Sequence, residues 1–205
     1  MIKVRVLVII AICCLVNACS SISNNDTTTI ENLDSYQQRK TKIAQLSQWQ
    51  IKGKIAFIEG KNRESANIYW QYFPKTKAQQ LTLTTYLGIQ VFSLTTAKGI
   101  HTLTVDGESY TDTNLTRLLT SLTGYHLPAE QLTQWLFGHA VNHNDTILFD
   151  QNNQLPITLN TQQYLHNWQV NYAHYRNEKG IFLAHKLTVK QQGLTIKLSI
   201  SDWTI

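Results

Sequence analysis

The sequence predicts an α+β fold: an antiparallel sheet of about ten or eleven strands curled into a barrel or open half-barrel, with a lid of short helices over one face. Three observations lead there. Apolar and polar residues alternate in segment after segment from Trp49 to Trp203, the period of a strand with one buried face. Most connections are only a few residues long, which suits antiparallel hairpins and excludes parallel crossovers. Helical spacing recurs in just three places, too few to cover both faces of a sheet. So many strands twist and must curl, and the curled sheet either encloses a cavity or is filled by its own side chains. Periodicity alone leaves that choice open.

The chain opens with Lys3 and Arg5, an uncharged apolar run from Val6 to Val16, and then Asn17-Ala18-Cys19. A charged start, a short apolar core and a small residue before the break describe an export signal over residues 1–18, too short to span a bilayer stably. The cysteine directly after Ala18 makes Val16 to Cys19 a lipobox, with Cys19 the site of diacylation and N-acylation; the alternative is an ordinary cut near Ala18. Residues 19–31 continue as Cys19 and then SSISNNDTTTIE, with too little apolar content to fold, and read as a lipidated tether. Twelve such residues reach about 40 Å extended and roughly 20 Å on average. The folded domain is expected over residues 32–205. Its first helix runs from about Asp34 to Ser47, with Leu33, Tyr36, Ile43 and Leu46 near one face.

Strand signals follow. Trp49, Ile51, Gly53, Ile55 and Phe57 alternate with Gln50, Lys52, Lys54, Ala56 and Ile58; Ala66, Ile68, Trp70 and Tyr72 repeat the pattern up to Pro74. Leu81 to Thr85 and Ile89 to Leu94 form a further pair, and Ile100 to Val105 and Ser109 to Thr111 are joined by Asp106-Gly107, a dipeptide that tolerates positive φ at both positions. Leu115, Leu118, Leu119 and Leu122 then take helical spacing up to Gly124, a C-cap residue, and Pro128 opens a helix carrying Leu132, Trp135 and Leu136 up to Gly138. Ile147 to Phe149, Leu155 to Leu159, Trp168 to Tyr175, Phe182 to Lys190 and Leu194 to Trp203 return to strand patterning.

Loss of the leader removes Cys13 and Cys14, so a chain acylated at Cys19 has no thiol left for a disulfide and is stabilised by burial. It also removes Lys3 and Arg5, leaving 187 residues with net charge +3, one domain's worth. That mild excess does not support nucleic-acid binding in an exported protein; it suits anionic headgroups, an acidic partner or an ordinary solvated surface. Enzymatic signatures are missing: there is no G-x-S-x-G, Gly-rich phosphate loop or H-E-x-x-H. His139 and His143 have i, i+4 spacing, but Gly138 breaks the helix before them, and Asp106, Glu108 and Asp112 sit where turns and caps need them. The sequence therefore predicts no enzyme, no metal site and no cofactor.

Several segments together resemble one family. Trp-Gln-Ile-Lys-Gly-Lys-Ile-Ala-Phe at Trp49 to Phe57, Tyr-Trp-Gln at Tyr69 to Gln71, Leu-Thr-Leu-Thr-Thr-Tyr-Leu-Gly at Leu81 to Gly88, Leu-Thr-Gly-Tyr-His-Leu-Pro and Gln-Trp-Leu-Phe-Gly at Gln134 to Gly138 come in order behind a lipobox. Trp168 to Tyr172 and Ile196 to Trp203 fit the same pattern. The chain resembles the LolB family, outer-membrane lipoprotein receptors of the lipoprotein localisation pathway. The resemblance implies a LolA/LolB-like half-barrel, attachment to the periplasmic face of the outer membrane, acceptance of acylated lipoproteins from the carrier LolA, and their insertion into the inner leaflet of that membrane. It implies LolA, client acyl chains and outer-membrane phospholipid as partners of a monomer. Other readings are a lipid-binding lipoprotein with different cargo and a scaffolding lipoprotein with a solid core.

Leu87 stands out, an apolar residue in a turn where a polar one is usual, followed by the permissive Gly88. In the family this hairpin projects a leucine from the rim and passes cargo to the bilayer; the bland alternative folds Leu87 back on its own sheet. Relatives often carry Asn-Pro before Leu-Gly, and Thr85-Tyr86 here implies a less rigid turn with an interfacial aromatic, Tyr86. The expected membrane-insertion loop is Tyr86, Leu87 and Gly88. The expected acyl-chain cavity is lined by Ile51, Ile55, Phe57, Ile68, Trp70, Leu118, Leu122 and Trp135.

Overall fold

The computed structural model describes residues 34–124, 127–163 and 166–205. The expected export signal, Cys19 and the tether lie outside the described residues. Helix α1 (Tyr36–Ala44) starts where Ser35 and Gln38 form a reciprocal capping box. Its buried face differs from the expected apolar stripe, because between Tyr36 and Ile43 it places Arg39, only 2% exposed.

Six strands follow as a meander, β1 (Trp49–Glu59), β2 (Asn62–Phe73), β3 (Ala78–Thr84), β4 (Gln90–Ala97), β5 (Ile100–Val105) and β6 (Glu108–Asp112). Helices α2 (Leu115–Thr123) and α3 (Ala129–Trp135) come next, then β7 (Thr146–Phe149), β8 (Pro156–Gln163), β9 (His166–Glu178), β10 (Ile181–Gln191) and β11 (Leu194–Thr204). Every pairing is antiparallel, in the order β6-β5-β4-β3-β2-β1-β11-β10-β9-β8-β7. The two meanders meet where β1 pairs with β11, and the terminal strands β6 and β7 do not pair with each other, so the sheet is an open half-barrel. Turn chemistry obeys the sequence: Asp106 and Gly107 take φ of 52° and 84°, and Gly124 caps α2 at 75°.

This topology makes the lid compulsory. The chain leaves β6 at one edge and re-enters at β7 on the other, so residues 113–145 must cross the sheet, and they do so carrying α2 and α3. Leu115, Leu118 and Leu119 of α2 and Trp135 of α3 join Ile51, Ile68, Trp70, Leu94, Leu103, Leu159, Val170 and Trp203 in one buried cluster. Trp135 lies 5.8 Å from Trp168, and Trp49 packs edge-on to Trp70 and Phe137 at 4.9 and 5.7 Å, arrangements the ring quadrupoles favour. Polar groups under the lid are relayed across the strands. The Trp70 indole donates to Gln79 at 2.9 Å, the Gln79 amide donates to Thr96 at 3.3 Å, and the Thr96 hydroxyl lies 2.7 Å from His101.

Two further contacts fix the frame. Arg39 donates to the Phe137 carbonyl at 2.6 Å, tying α1 to the end of the lid, and burial, reinforced by the same guanidinium, holds His139 down to a pKa of about 3. Gly53 sits at the bulge where β1 meets β11, and a Cβ there would lie 2.1 Å from the Ser199 carbonyl oxygen.

Two outcomes follow from these contacts. Gly53→Ala forces the central β1–β11 seam apart and should destabilise the fold by about 2 kcal/mol or more in denaturant melts; unchanged stability would show that the seam yields freely. His139 binds its proton in the unfolded chain near pH 6.5 but resists it when folded, so stability should decline as pH falls from about 6.5 toward 3. His139→Gln should flatten that decline above the carboxylate range, and an identical pH profile in the variant would remove His139 from it.

Candidate functional site

The β3–β4 hairpin ends in a turn closed by hydrogen bonds at Thr85, Gly88 and Ile89. The Thr85 N–H donates to the Ile89 carbonyl at 2.8 Å, Gly88 N–H to the Thr85 carbonyl at 3.0 Å, and Ile89 N–H to the Thr85 hydroxyl at 3.2 Å. Asn67 on the neighbouring strand donates to the Thr85 carbonyl at 3.0 Å. Gly88 has φ of 85° with open space around its Cβ position, so backbone conformation is what requires glycine. The expected looseness of a turn without Asn-Pro is thus offset by Thr85 and Asn67. The side chains of the tip face outward: Tyr86 is 88% exposed, Leu87 70% and Ile89 62%. Leu87 does not fold back on its sheet.

Behind the tip, the concave face divides into two zones. Ile51, Ile68, Trp70, Leu118 and Trp135 are buried under the lid at 7% exposure or less. Ile55, Phe57, Leu83, Phe92, Val105 and Leu198 are only partly buried against that core. Strand register orders this second zone: Val105 opposes Phe92, Phe92 opposes Leu83, Leu83 opposes Ile68, and Ile55 opposes Leu198. Leu83 and Phe92 are the inward-facing pair next to the turn, so a partly buried apolar strip leads to the tip.

The expected cavity lining is therefore split. Ile55 and Phe57 lie in the accessible strip. Ile51, Ile68, Trp70, Leu118 and Trp135 pack against one another rather than lining open space, because the crossing segment fills the hollow it spans. Leu122 shares the stripe of Leu115, Leu118 and Leu119 but is 37% exposed, since the stripe runs past the surface it packs on. Grooves of about 500 and 320 Å³ follow outward-facing polar residues such as Asn160, Gln169 and Lys190, or Lys52, Asn67 and Thr82, away from the lid.

Sequence reasoning missed Ile89, whose alternation placed it inside a strand, and it missed Leu83, Phe92 and Val105 as the accessible apolar residues. Buried titratable groups are in structural contacts. Burial raises the Tyr172 and Tyr175 hydroxyls, which donate to the carbonyls of Trp135 and Pro156 at 2.7 and 2.8 Å. Asp112 is held near pKa 2 by its hydrogen bonds to Arg117 at the start of α2. His139 is buried whereas His143 is exposed, and among the described residues no three His, Cys, Asp or Glu side chains gather as metal ligands.

Comparison with known proteins agrees with this geometry. Among solved structures, a LolA superfamily protein from Nitrosomonas europaea covers 78% of this chain and 86% of its own at a TM-score of 0.52 and 9% identity. An outer membrane lipoprotein-sorting protein domain from Vibrio parahaemolyticus covers 82% and 89% at a TM-score of 0.57 and 10% identity. At these identities the likeness is one of fold. The outer-membrane lipoprotein LolB of Pseudoalteromonas translucida (strain TAC 125) is 36% identical over 90% of this chain and 87% of its own length. That of Shewanella sediminis (strain HAW-EB3) is 36% identical over 78% and 72%. The family description "Outer membrane lipoprotein LolB" matches residues 47–203, nearly the whole described sheet and its lid, and the chain belongs to that family of outer-membrane lipoproteins.

Proposed function

We propose that this protein accepts acylated lipoproteins from the periplasmic carrier LolA and inserts them into the inner leaflet of the outer membrane, as a non-enzymatic transport component. Residues 1–18 serve as export signal, Cys19 as the acylated anchor and residues 19–31 as the tether of a domain over 32–205. The observation that carries this reading is the apolar strip that is only partly buried on the concave face and ends at a hairpin tip with Tyr86, Leu87 and Ile89 in solvent.

The energetics fit such a role. A client with several acyl chains loses tens of kcal/mol if exposed to water, at about 0.8 kcal/mol per methylene, and never diffuses freely. A strip of Ile55, Phe57, Leu83, Phe92, Val105 and Leu198 offers the first apolar surface, and the deeper Ile51, Ile68, Trp70, Leu118 and Trp135 become available as α2 and α3 lift. A tip side chain gains only about 1.5 to 3 kcal/mol on burial, so Leu87 and its neighbours touch a bilayer reversibly and never anchor in it.

Two substitutions separate acceptance from delivery. Leu87→Glu should change stability by less than about 0.5 kcal/mol, because the side chain is mostly in solvent and outside the core. Cargo should still leave the carrier, yet remain on the receptor, since a tip carboxylate opposes entry into an apolar interface; normal insertion by this variant would sink the tip's role. Ile55→Glu places a charge in the accessible strip and should cut transfer from the carrier about tenfold or more in a domain that still melts cooperatively. Undiminished uptake by the folded Ile55→Glu protein would remove the strip from the binding surface.

A further inference from the structure

The convex face of the sheet carries the domain's whole excess of positive charge. Residues 34–205 contain sixteen Lys and Arg against eleven Asp and Glu, an excess of five. Six of the cations, Lys52, Lys54, Arg63, Lys186, Lys190 and Lys197, face away from the lid on β1, β2, β10 and β11, and the one acid facing with them on these strands is Asp202, opposite Lys52. Glu59 and Glu64 share register rows with Leu194 and Phe57, on the other face. Ten charges of each sign are left for the rest of the described chain, which is therefore neutral.

All six cations are exposed, and none forms an ion pair among the described residues. Lys54 and Lys186 both oppose Ser199, which sets them two strand spacings, about 10 Å, apart. Lys197 lies one outward position further on, opposite Ala56 and Thr188, and Arg63 and Lys190 occupy the next row with Ile58 and Thr195. Between the long side chains the floor is largely Ala, Ser and Thr, so the ammonium groups stand clear of it.

We propose that this face is a docking surface for the anionic phospholipid headgroups of the membrane that carries the protein. An array of exposed, unpaired cations is complementary in charge to a layer of phosphates, and each basic side chain that comes within a screening length of an anionic bilayer adds to the attraction. Val91, 36% exposed and next to the tip, faces the same side and adds an apolar contact. Docked this way, the domain turns its lid and apolar strip toward the periplasm, where cargo arrives. This surface rests on the outer-membrane attachment and not on cargo acceptance, so its test needs no carrier.

The test uses the mature chain with Cys19→Ala, which has no acyl chains of its own. It is sedimented with vesicles of phosphatidylcholine alone or with about a third phosphatidylglycerol, at about 0.1 M and about 1 M salt, where the screening length falls from about 10 Å to about 3 Å. Binding to the anionic vesicles should exceed binding to the neutral ones about tenfold or more at low salt and lose that preference at high salt. Lys54→Gln, Lys186→Gln and Lys197→Gln together should abolish the preference with an unchanged melting temperature. A control with Lys75→Gln, Lys77→Gln and Lys98→Gln, at the opposite strand ends, removes the same charge and should keep most of it. Equal binding to both vesicles, or equal loss in the two triple variants, overturns the proposal, as does a face that ignores vesicles and captures an acidic protein instead.

Discussion

Eleven strands in one open sheet present a concave face with a broad apolar middle, and among the described residues one stretch of chain links its two edges across it. Everything else in the structure depends on that shortage of cover. The crossing segment, residues 113–145, provides two helices of nine and seven residues. They bury the rows around Ile51, Trp70 and Leu103, and they leave Ile55, Phe57, Leu83, Phe92, Val105 and Leu198 partly open. Such a strip is otherwise a liability; on the proposed function it is the working surface for acyl chains.

The seam between β1 and β11 decides how that surface is shaped. Two meanders meet there, and the close approach of the Ser199 carbonyl to Gly53 needs a residue without a side chain. A bulge at this seam bends the sheet, which turns the inner side chains of both meanders toward one another and spreads the outer ones apart. The same curvature that gathers Trp49, Trp70 and Trp203 under the lid therefore fans out Lys54, Lys186 and Lys197 on the outside. Core packing and surface charge are two consequences of one backbone irregularity.

Much of this was legible in the sequence, for definite reasons. Period-two alternation located the strands, Asp106-Gly107 located a hairpin because positive φ restricts the residues that fit, and Leu87 drew attention because a solvent-facing turn usually carries a polar residue. Ile89 was hidden by the same alternation, since an apolar residue flanked by polar ones reads as strand until the register shift beside Thr84 and Gln90 is seen. Arg39 was hidden because a charge on a helix reads as solvent-facing; only the tertiary fold supplies the Phe137 carbonyl that receives it. Leu122 shows the converse. Helical spacing reports a stripe, not where the surface beneath it ends.

The packed state of the concave face bears on the direction of transfer. An acyl chain that enters beneath the lid does not simply gain buried area; it replaces contacts that Leu118, Leu119 and Trp135 already make with the sheet. The net gain is then smaller than the area covered would suggest, because apolar surface already out of water contributes nothing further when a new partner covers it. A wide, permanently open cavity would hold the same chains more tightly and release them more slowly. A bilayer has no such internal contacts to displace, so it retains the full advantage of about 0.8 kcal/mol per methylene. On the proposed function, a self-filled receptor therefore sits below the membrane in affinity, and cargo would move onward without an energy source at the hand-off.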